Sequence, residues 1–537
     1  MTRRFIRSAA GPCLLLVLVS LGTLFFRLGQ LPFIGADEPR YARIAEEMSS
    51  AGRWVTPLLE GYPWLEKPPL YYWLTIPCYR IFGAGETIAR LAPALCALLA
   101  AACVFWLGSR LWSRPAGVLG GLVLLTSIGF CGFGRSASPD MPFTVCLTAA
   151  LSLLAVAVIK GDLAWWRTLC AYVFLGLAVL AKGPVALALG AGILVLFWVA
   201  DEQGGSLGRM RVAAGTAVAA AVAIPWFWLA FRENGFAFVS IFFINHNLAR
   251  YVSDIHHHEQ PFYYFVPVIL GLFFPWSGWL PVLVPRSVRS SLGAWRTWDR
   301  GAVFLGVWTL FPLLFFSLST SKLPGYVLPS LPPLALLLGR RLAGFLEKPD
   351  RSGAFRITRW IALALSLGVA IAAPLVLDEN HGLEWRRTLP LSAAVLAPAL
   401  FVFLFLLRGQ LRRAVTATLI QGVVLVLAVT QFGFPLLARS QSTREIARQA
   451  LAADRSGEPI VTYHFFHHTL HYYTGYRVAA NVVDPASLTE LARRHGSLLV
   501  VTEDGWVREL ESTPGLAIAQ IGVQGKFRLL RVTATSD

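Results

Sequence analysis

Charge is scarce in this chain of 537 residues: only 14% are Asp, Glu, Lys or Arg, against roughly 25% in an ordinary soluble domain. With 56% hydrophobic residues, its apolar surface exceeds what one water-facing globule can enclose, and the bilayer is the natural solvent. Cysteine is sparse and one-sided. All seven (positions 13, 78, 96, 103, 131, 146 and 170) lie in the first third, mostly within apolar runs, and no C-x-x-C pair exists. This excludes a disulfide framework and a zinc site built on sulfur. Three motifs are also missing. There is no Asp-x-Asp for a metal-bound nucleotide-sugar, no G-x-x-x-x-G-K-[ST] for ATP drive, and no G-x-S-x-G elbow for a serine hydrolase.

Acidic residues are the rarer sign. Lys and Arg total 47 against 30 Asp and Glu, a net charge of +17. The excess does not describe a nucleic-acid-binding face, because the basic residues sit in short loops between apolar runs. About 13 such runs are long enough to cross ~30 Å of hydrocarbon. They fall near 11–28, 88–109, 116–134, 141–159, 165–181, 184–200, 212–231, 262–284, 302–319, 326–345, 358–377, 389–407 and 414–436. The first follows MTRRFIR and precedes no small-x-small cleavage site, so it reads as an uncleaved helix rather than a signal peptide. With the N-terminus placed in the cytoplasm and the sides alternated, every cytoplasmic loop is basic. These loops hold Arg110 and Arg114; Lys160 and Arg167; Arg209 and Arg211; Arg286 to Arg300; Arg340 to Arg359; and Arg408 to Arg413. That is the positive-inside pattern. The expected fold is an all-α polytopic membrane domain over residues 1–439, with a large outer loop at 29–87, followed by a small soluble α/β domain over 440–537 on the outer side. In the latter, EPIVTYHFF, SLLVVTED and FRLLRVTA read as strands. STREIARQALAAD reads as a helix entered through Ser442 or Thr443, and Glu38–Ser50 has helical spacing and reads as a helix along the interface.

This topology gathers the remaining charge on one face. The outer loops carry Asp37, Glu38 and Arg40; Glu66 and Lys67; Arg135 and Asp140; Lys182; His246, Arg250 and His256–His258; and Lys322 with Tyr326. Ionisable groups at membrane depth cost a few kcal/mol and persist when they pair or line a wet cavity. Several carboxylates beside several cations suit an anionic lipid head group with a polar acceptor. The cations hold phosphate, and a carboxylate orients or deprotonates the nucleophile. Each motif also has a plainer reading. Asp37-Glu38 and Asp140 are possible helix caps, Lys182 and Lys322 possible snorkelling residues, and the histidine run a solvated loop or metal ligands. Tyr71, Tyr72, Tyr263, Tyr264 and Trp276 read as interfacial aromatic anchors. In the tail, His464, His467, His468 and His471 with Tyr472 and Tyr473 read as a half-buried strand and helix, with an acceptor entry or a metal site as the alternatives.

The phrases GADEPRY from Gly35, WVTPLLEGYPWLEKPPLYYWL from Trp54, AKGP from Ala181 and SKLPGY from Ser321 together resemble the ArnT-like branch of the GT-C glycosyltransferases, relatives of the protein O-mannosyltransferases. Their order matches over residues 1–440 or so. The resemblance implies a bacterial inner-membrane enzyme with about 13 helices that takes a sugar from a polyprenyl (undecaprenyl) phosphate donor, with inversion, on the periplasmic side. The implied acceptor is lipid A or another envelope glycolipid, with Ser or Thr of an exported protein as the alternative. By motif match, Asp37 and Asp140, with Glu38 beside them, are the catalytic acids. Arg40, Lys67, Lys182, Arg250, Lys322 and Tyr326 hold the carrier phosphate. Glu66, His246 and His256 are the candidate ligands of a divalent metal, zinc or magnesium. The rival class, a flippase of lipid-linked sugar, calls for an internal repeat and midplane charge pairs; the sequence has no such repeat, and its charges lie at loop edges.

Overall fold

The computed structural model describes residues 10–161, 164–201, 210–249, 260–284, 299–347, 353–381, 386, 388–454 and 457–535. Among these, eight helices are long and apolar enough to cross a membrane, and ten if two sharply bent pairs each count as one span. All of the expected spans fall on helical segments, but they do not all qualify alone. The run at 326–345 is a 3-10 turn, Pro324–Ser330, leading into α13, Leu331–Glu347. That helix is buried on one side and carries Arg340 and Arg341 at its far end, so it owes its place to packing. The runs at 116–134 and 262–284 are each broken, by 69° and 112°.

The bundle is organised around α7, Asp140–Lys160, whose residues are apolar on all sides and buried at nearly every position. A helix without a polar face has nowhere to go but the interior. Around it pack α4 (Glu86–Leu111), α8 (Trp165–Lys182) and α12 (Arg300–Ser317), and α4 in turn packs on α5 (Arg114–Leu125). By contrast α10, Val212–Phe238, is mostly exposed along its apolar length and faces the lipid. Contacts between α4, α5 and α13 depend on glycine. A Cβ at Gly339 of α13 would lie 2.3 Å from the Gly120 amide nitrogen, and one at Gly117 of α5 would lie 2.2 Å from the Phe105 carbonyl. Close backbone approach of this kind substitutes for the hydrophobic driving force that lipid removes.

At one end of the bundle the first loop is itself folded. Helix α2, Asp37–Ala51, lays Tyr41, Ile44, Ala45 and Met48 against Tyr71, Tyr72, Ile76 and Tyr79 of α3, Leu70–Phe82. Tyr71 and Tyr72 are 1% exposed and Trp276 is fully buried. They are therefore core residues and not interfacial anchors; the Trp276 indole donates to Thr126 Oγ1 at 2.9 Å. A two-residue hairpin, β1 (Leu58–Leu59) and β2 (Tyr62–Pro63), turns at Glu60 and Gly61, both with positive φ, as a tight hairpin turn requires. Glu47 of α2 accepts both turn amides, at 2.9 and 3.0 Å.

The C-terminal unit is a five-stranded sheet in the order β4-β3-β5-β7-β6, with β4, β3 and β5 parallel and β7 and β6 antiparallel. The three expected strands are β3 (Ile460–Tyr463), β5 (Ser497–Glu503) and β7 (Phe527–Ala534). The expected helix is α18, Arg444–Ala453, entered through Thr443. Strands β4 (Val478–Val482) and β6 (Leu516–Gln524) were not foreseen, because they lie at the sheet edges and alternate weakly. Helices α18 and α19 (His468–Tyr473) cover one face, and α20 (Pro485–His495) and α21 (Asp504–Glu511) cover the other.

This unit docks on the first loop. Tyr473 Oη accepts from the Phe33 amide at 2.6 Å and donates to Glu86 at 3.1 Å. Tyr472 meets the Phe33 ring edge-on at 5.0 Å, and Arg43 lies 4.6 Å over Tyr476. The opposite end of the 26-residue α4 carries Arg110 and, just beyond it, Trp112, whose indole donates to Asp299, itself paired with Arg340. The first loop and the C-terminal unit thus share one end of the bundle, and the basic residues described around Trp112 occupy the other. The glycine crossing predicts that Gly339→Val abolishes the monodisperse peak in size-exclusion chromatography, whereas Gly344→Ala, at a position with open space, leaves it unchanged.

Candidate functional site

The two carboxylates singled out by sequence stand at the start of two helices that meet at this end. Asp37 opens α2 and pairs with Arg40 one turn on. Its side chain is 63% exposed. Asp140 opens α7 and pairs with Lys182, the last residue of α8. Between them lies Tyr41. Burial pushes its hydroxyl well above the usual range, and the charges of Asp37 and Asp140 add to the shift while Arg40 opposes it. Burial also weighs against the Arg40 guanidinium, but the charges of Tyr41, Asp37 and Glu66 outweigh it and raise the group. Asp37, Arg40, Glu66 and Asp140 therefore share one electrostatic neighbourhood, although 103 positions of sequence separate the two aspartates.

Lys182 also lies 5.3 Å over the Tyr326 ring, and Tyr326 packs on Phe316 at 4.8 Å. The neighbouring Gly325 allows the approach: a Cβ there would sit 2.9 Å from Asp140 Oδ2. Gly183, with φ of +85°, ends α8 against Phe242 and Asn247. This brings the π-helical segment Val239–Ala249 alongside, and its His246 faces Glu66 at 3.5 Å. Lys67 follows Glu66 at the entrance to α3 and is half-buried. Four polar atoms around the cluster, Arg40 Nε, Tyr72 Oη, Ser138 Oγ and Ser321 Oγ, are buried and complete no hydrogen bond among the described residues. Folded proteins rarely leave such atoms unsatisfied except where a ligand or water belongs.

Two of the expected site residues have other work. Glu38 is buried in a two-pronged pair with Arg90 of α4, at 2.8 and 2.7 Å, and also accepts the Ala137 amide at 2.9 Å. Its carboxylate is committed, so it positions the site and does not act as a catalytic acid. Arg90 further donates to the carbonyls of Leu28, Leu31 and Pro32. The Glu38–Arg90 pair therefore ties the segment before Asp37 to the one before Asp140. Lys322 is buried and donates to the carbonyls of Gln260 and Ser319 at 2.8 and 2.6 Å, which makes it a brace between loops more than a phosphate ligand. Arg250 and His256 lie outside the described residues. For a metal, Glu66 and His246 supply two ligands, and no group of three or more His, Cys, Asp or Glu gathers among the described residues. A closed site takes three or four ligands, and these two do not complete one.

Sequence reasoning missed Arg90, and it named Arg135 and Tyr41 among the outer-loop residues without giving either a role. Arg135 donates to the carbonyls of Thr23, Leu24 and Phe26 at the end of the first helix. The available signal was an arginine inside or beside an apolar run, which needs several acceptors to be buried at all.

Known proteins resemble this chain in sequence and in fold. Residues 66–228 match the dolichyl-phosphate-mannose-protein mannosyltransferase family. The chain is 34% identical over 313 residues to an undecaprenyl phosphate-alpha-4-amino-4-deoxy-L-arabinose arabinosyl transferase of Pseudomonas fluorescens, covering 57% of this chain and 55% of that one. It is 34% identical over 357 residues to the protein of the same name from Edwardsiella ictaluri, covering 64% and 61%. The aligned part thus spans less than two thirds of these relatives. The fold matches the crystal structure of ArnT from Cupriavidus metallidurans bound to undecaprenyl phosphate, with a TM-score of 0.79, 26% identity and 98% of each chain covered. In sequence and in fold the chain is similar to the ArnT-like GT-C glycosyltransferases. An archaeal oligosaccharyltransferase from Archaeoglobus fulgidus, at 14% identity and a TM-score of 0.52, shares the fold alone.

Two outcomes follow. Breaking a buried ion pair by removing one partner costs about 3–5 kcal/mol, so Arg90→Ala should lower the thermal unfolding midpoint by many degrees; Glu38→Gln combined with it should recover part of the loss in a double-mutant cycle. The second outcome concerns α19. His467 Nδ1 accepts the Thr469 amide at 3.3 Å and caps this short helix, a role open only to the neutral ring. Burial and Lys526 hold His467 down to about 4; burial and Arg40 do the same for His468. Both groups bind protons more readily when unfolded. Their contribution is therefore complete above pH ~6.5 and lost as pH falls from there towards 4. Hydrogen exchange in residues 468–474, corrected for its intrinsic pH dependence, should accelerate across that window, and flat protection would refute the cap.

Proposed function

We propose that this protein transfers a sugar from an undecaprenyl-phosphate donor to the head group of an envelope glycolipid such as lipid A, on the periplasmic side of the bacterial inner membrane. The observation that carries the reading is the pairing of Asp37 with Arg40 and Asp140 with Lys182 around buried, unsatisfied donors. Cations beside buried, unsatisfied hydroxyls suit an anionic ligand with a polar partner, and a lipid phosphate beside an acceptor supplies both. The family relationship and the likeness to an ArnT structure holding undecaprenyl phosphate support the same reading.

In this mechanism the acceptor oxygen attacks the anomeric carbon from the face opposite the carrier. The bond between that carbon and the phosphate oxygen breaks, and the phosphate leaves with the electron pair. Arg40, Lys67 and Lys182 stabilise the growing charge on the phosphate more in the transition state than in the bound donor. Asp37, the more exposed carboxylate, takes the proton when the acceptor is a hydroxyl and orients the acceptor when it is already a phosphate. Asp140, held by Lys182, fixes that cation against the phosphate. The N-terminus and the basic loops then lie in the cytoplasm, and the first loop and the C-terminal unit in the periplasm.

The test is transfer from a synthetic polyprenyl-phosphate sugar to lipid A by purified protein in lipid nanodiscs. Asp37→Asn and Lys67→Ala should each lower kcat by roughly 10²–10⁴, with undecaprenyl phosphate binding retained in the first and weakened in the second. Full turnover in correctly inserted variants would reject the site. Transfer to a Ser/Thr peptide in place of lipid A would shift the assignment to protein O-glycosylation, the chemistry for which the matched family model is named.

A further inference from the structure

The loop from β3 into α19 presents an aromatic surface beside the site. Phe466 is 52% exposed. Its ring packs perpendicular to His468 at 4.8 Å and tilted on His471 at 4.8 Å. His471 in turn faces Glu60 of the hairpin at 3.8 Å, and α19 is fastened to the first loop through Tyr472 and Tyr473. This docking brings His468 within the electrostatic reach of Arg40 and Asp37. The surface therefore forms part of the rim of the site, contributed by the soluble unit and not by the bundle.

Its chemistry is selective. An exposed phenyl face attracts the slightly positive C–H face of a sugar ring. A neutral imidazole beside it offers one donor and one acceptor to hydroxyl groups. The nearest carboxylates, Glu60 and Asp37, face His471 and Arg40. We infer that Phe466 and His468 form a subsite for the sugar ring of the acceptor, stacking it on Phe466 and hydrogen-bonding a hydroxyl to His468, so that the C-terminal unit sets acceptor specificity. The inference rests on the glycosyl-transfer reading for its role, but the binding it asserts stands apart from turnover.

Saturation-transfer NMR on the full chain in lipid nanodiscs, with chitobiose as the probe, reads that binding directly. The unsubstituted protein should transfer saturation to the ring C–H protons. Phe466→Ala should reduce the signal about fivefold, His468→Ala about threefold, and Phe466→Trp should preserve it. Undecaprenyl phosphate affinity within twofold of the unsubstituted protein serves as the folding control for each variant. Equal signal in Phe466→Ala overturns the subsite. So does loss of signal in Lys67→Ala with Phe466 intact, since that places the sugar in the phosphate site, and so does saturation of a Ser/Thr peptide with none of chitobiose. No step of this measurement requires transfer, so an inactive protein that still binds chitobiose through Phe466 would fail the functional proposal alone.

Discussion

Arg90 and Glu38 form the contact on which the site depends. The pair is buried at the junction of α4, the start of α2 and the segment before α7. A guanidinium brought out of water requires nearly all its donors to be met, and here a carboxylate and three carbonyls meet them. The cost of burying the two charges is recovered only in this one geometry. The result is that Asp37, adjacent to Glu38, and Asp140, three residues after Ala137, are held at a set separation. Neither aspartate could be placed by its own helix, since each stands at a helix start with few contacts of its own.

Electrostatics then divides labour between the two carboxylates. Asp140 sits at the head of the most buried helix and is bound to Lys182, whose ammonium also rests on Tyr326. Asp37 is paired with Arg40 but remains largely open. One carboxylate anchors a cation and the other faces what enters. The same asymmetry explains why the cluster tolerates its low-polarity surroundings: Asp37, Asp140, Arg40 and Lys182 each have a charged partner.

The C-terminal unit packs on the first loop beside this site. Its contacts fall on Phe33, Gly35, Arg43, Glu60 and Glu86, all in the first loop or at the start of α4. Most are made by one short helix and its flanks, rich in histidine and tyrosine, and Gln441 and Arg444 supply the rest. Docking through aromatic and histidine side chains links the order of the rim to the protonation of His467 and His468.

Sequence alone determined the membrane class and the separation of the basic loops from the loops that carry Asp37 and Asp140, because hydropathy and the clustering of basic residues are local properties of composition. It also determined Asp37, Asp140, Lys67 and Lys182 as candidates, because a charge beside an apolar run is visible without a fold. Tertiary structure alone decided which charges pair. Glu38 looked like a third acid until Arg90, 52 residues away, claimed it; Lys322 looked like a phosphate ligand until two carbonyls did the same. Tyr71, Tyr72 and Trp276 have the composition of interfacial anchors, and only packing showed them to be core. The edge strands β4 and β6 were hidden for a related reason, since an edge strand is specified by its neighbour more than by its own pattern. Hydropathy sorts residues by solvent, whereas partnership depends on distances across the fold, and the long-range pairs that build this site have no local signature.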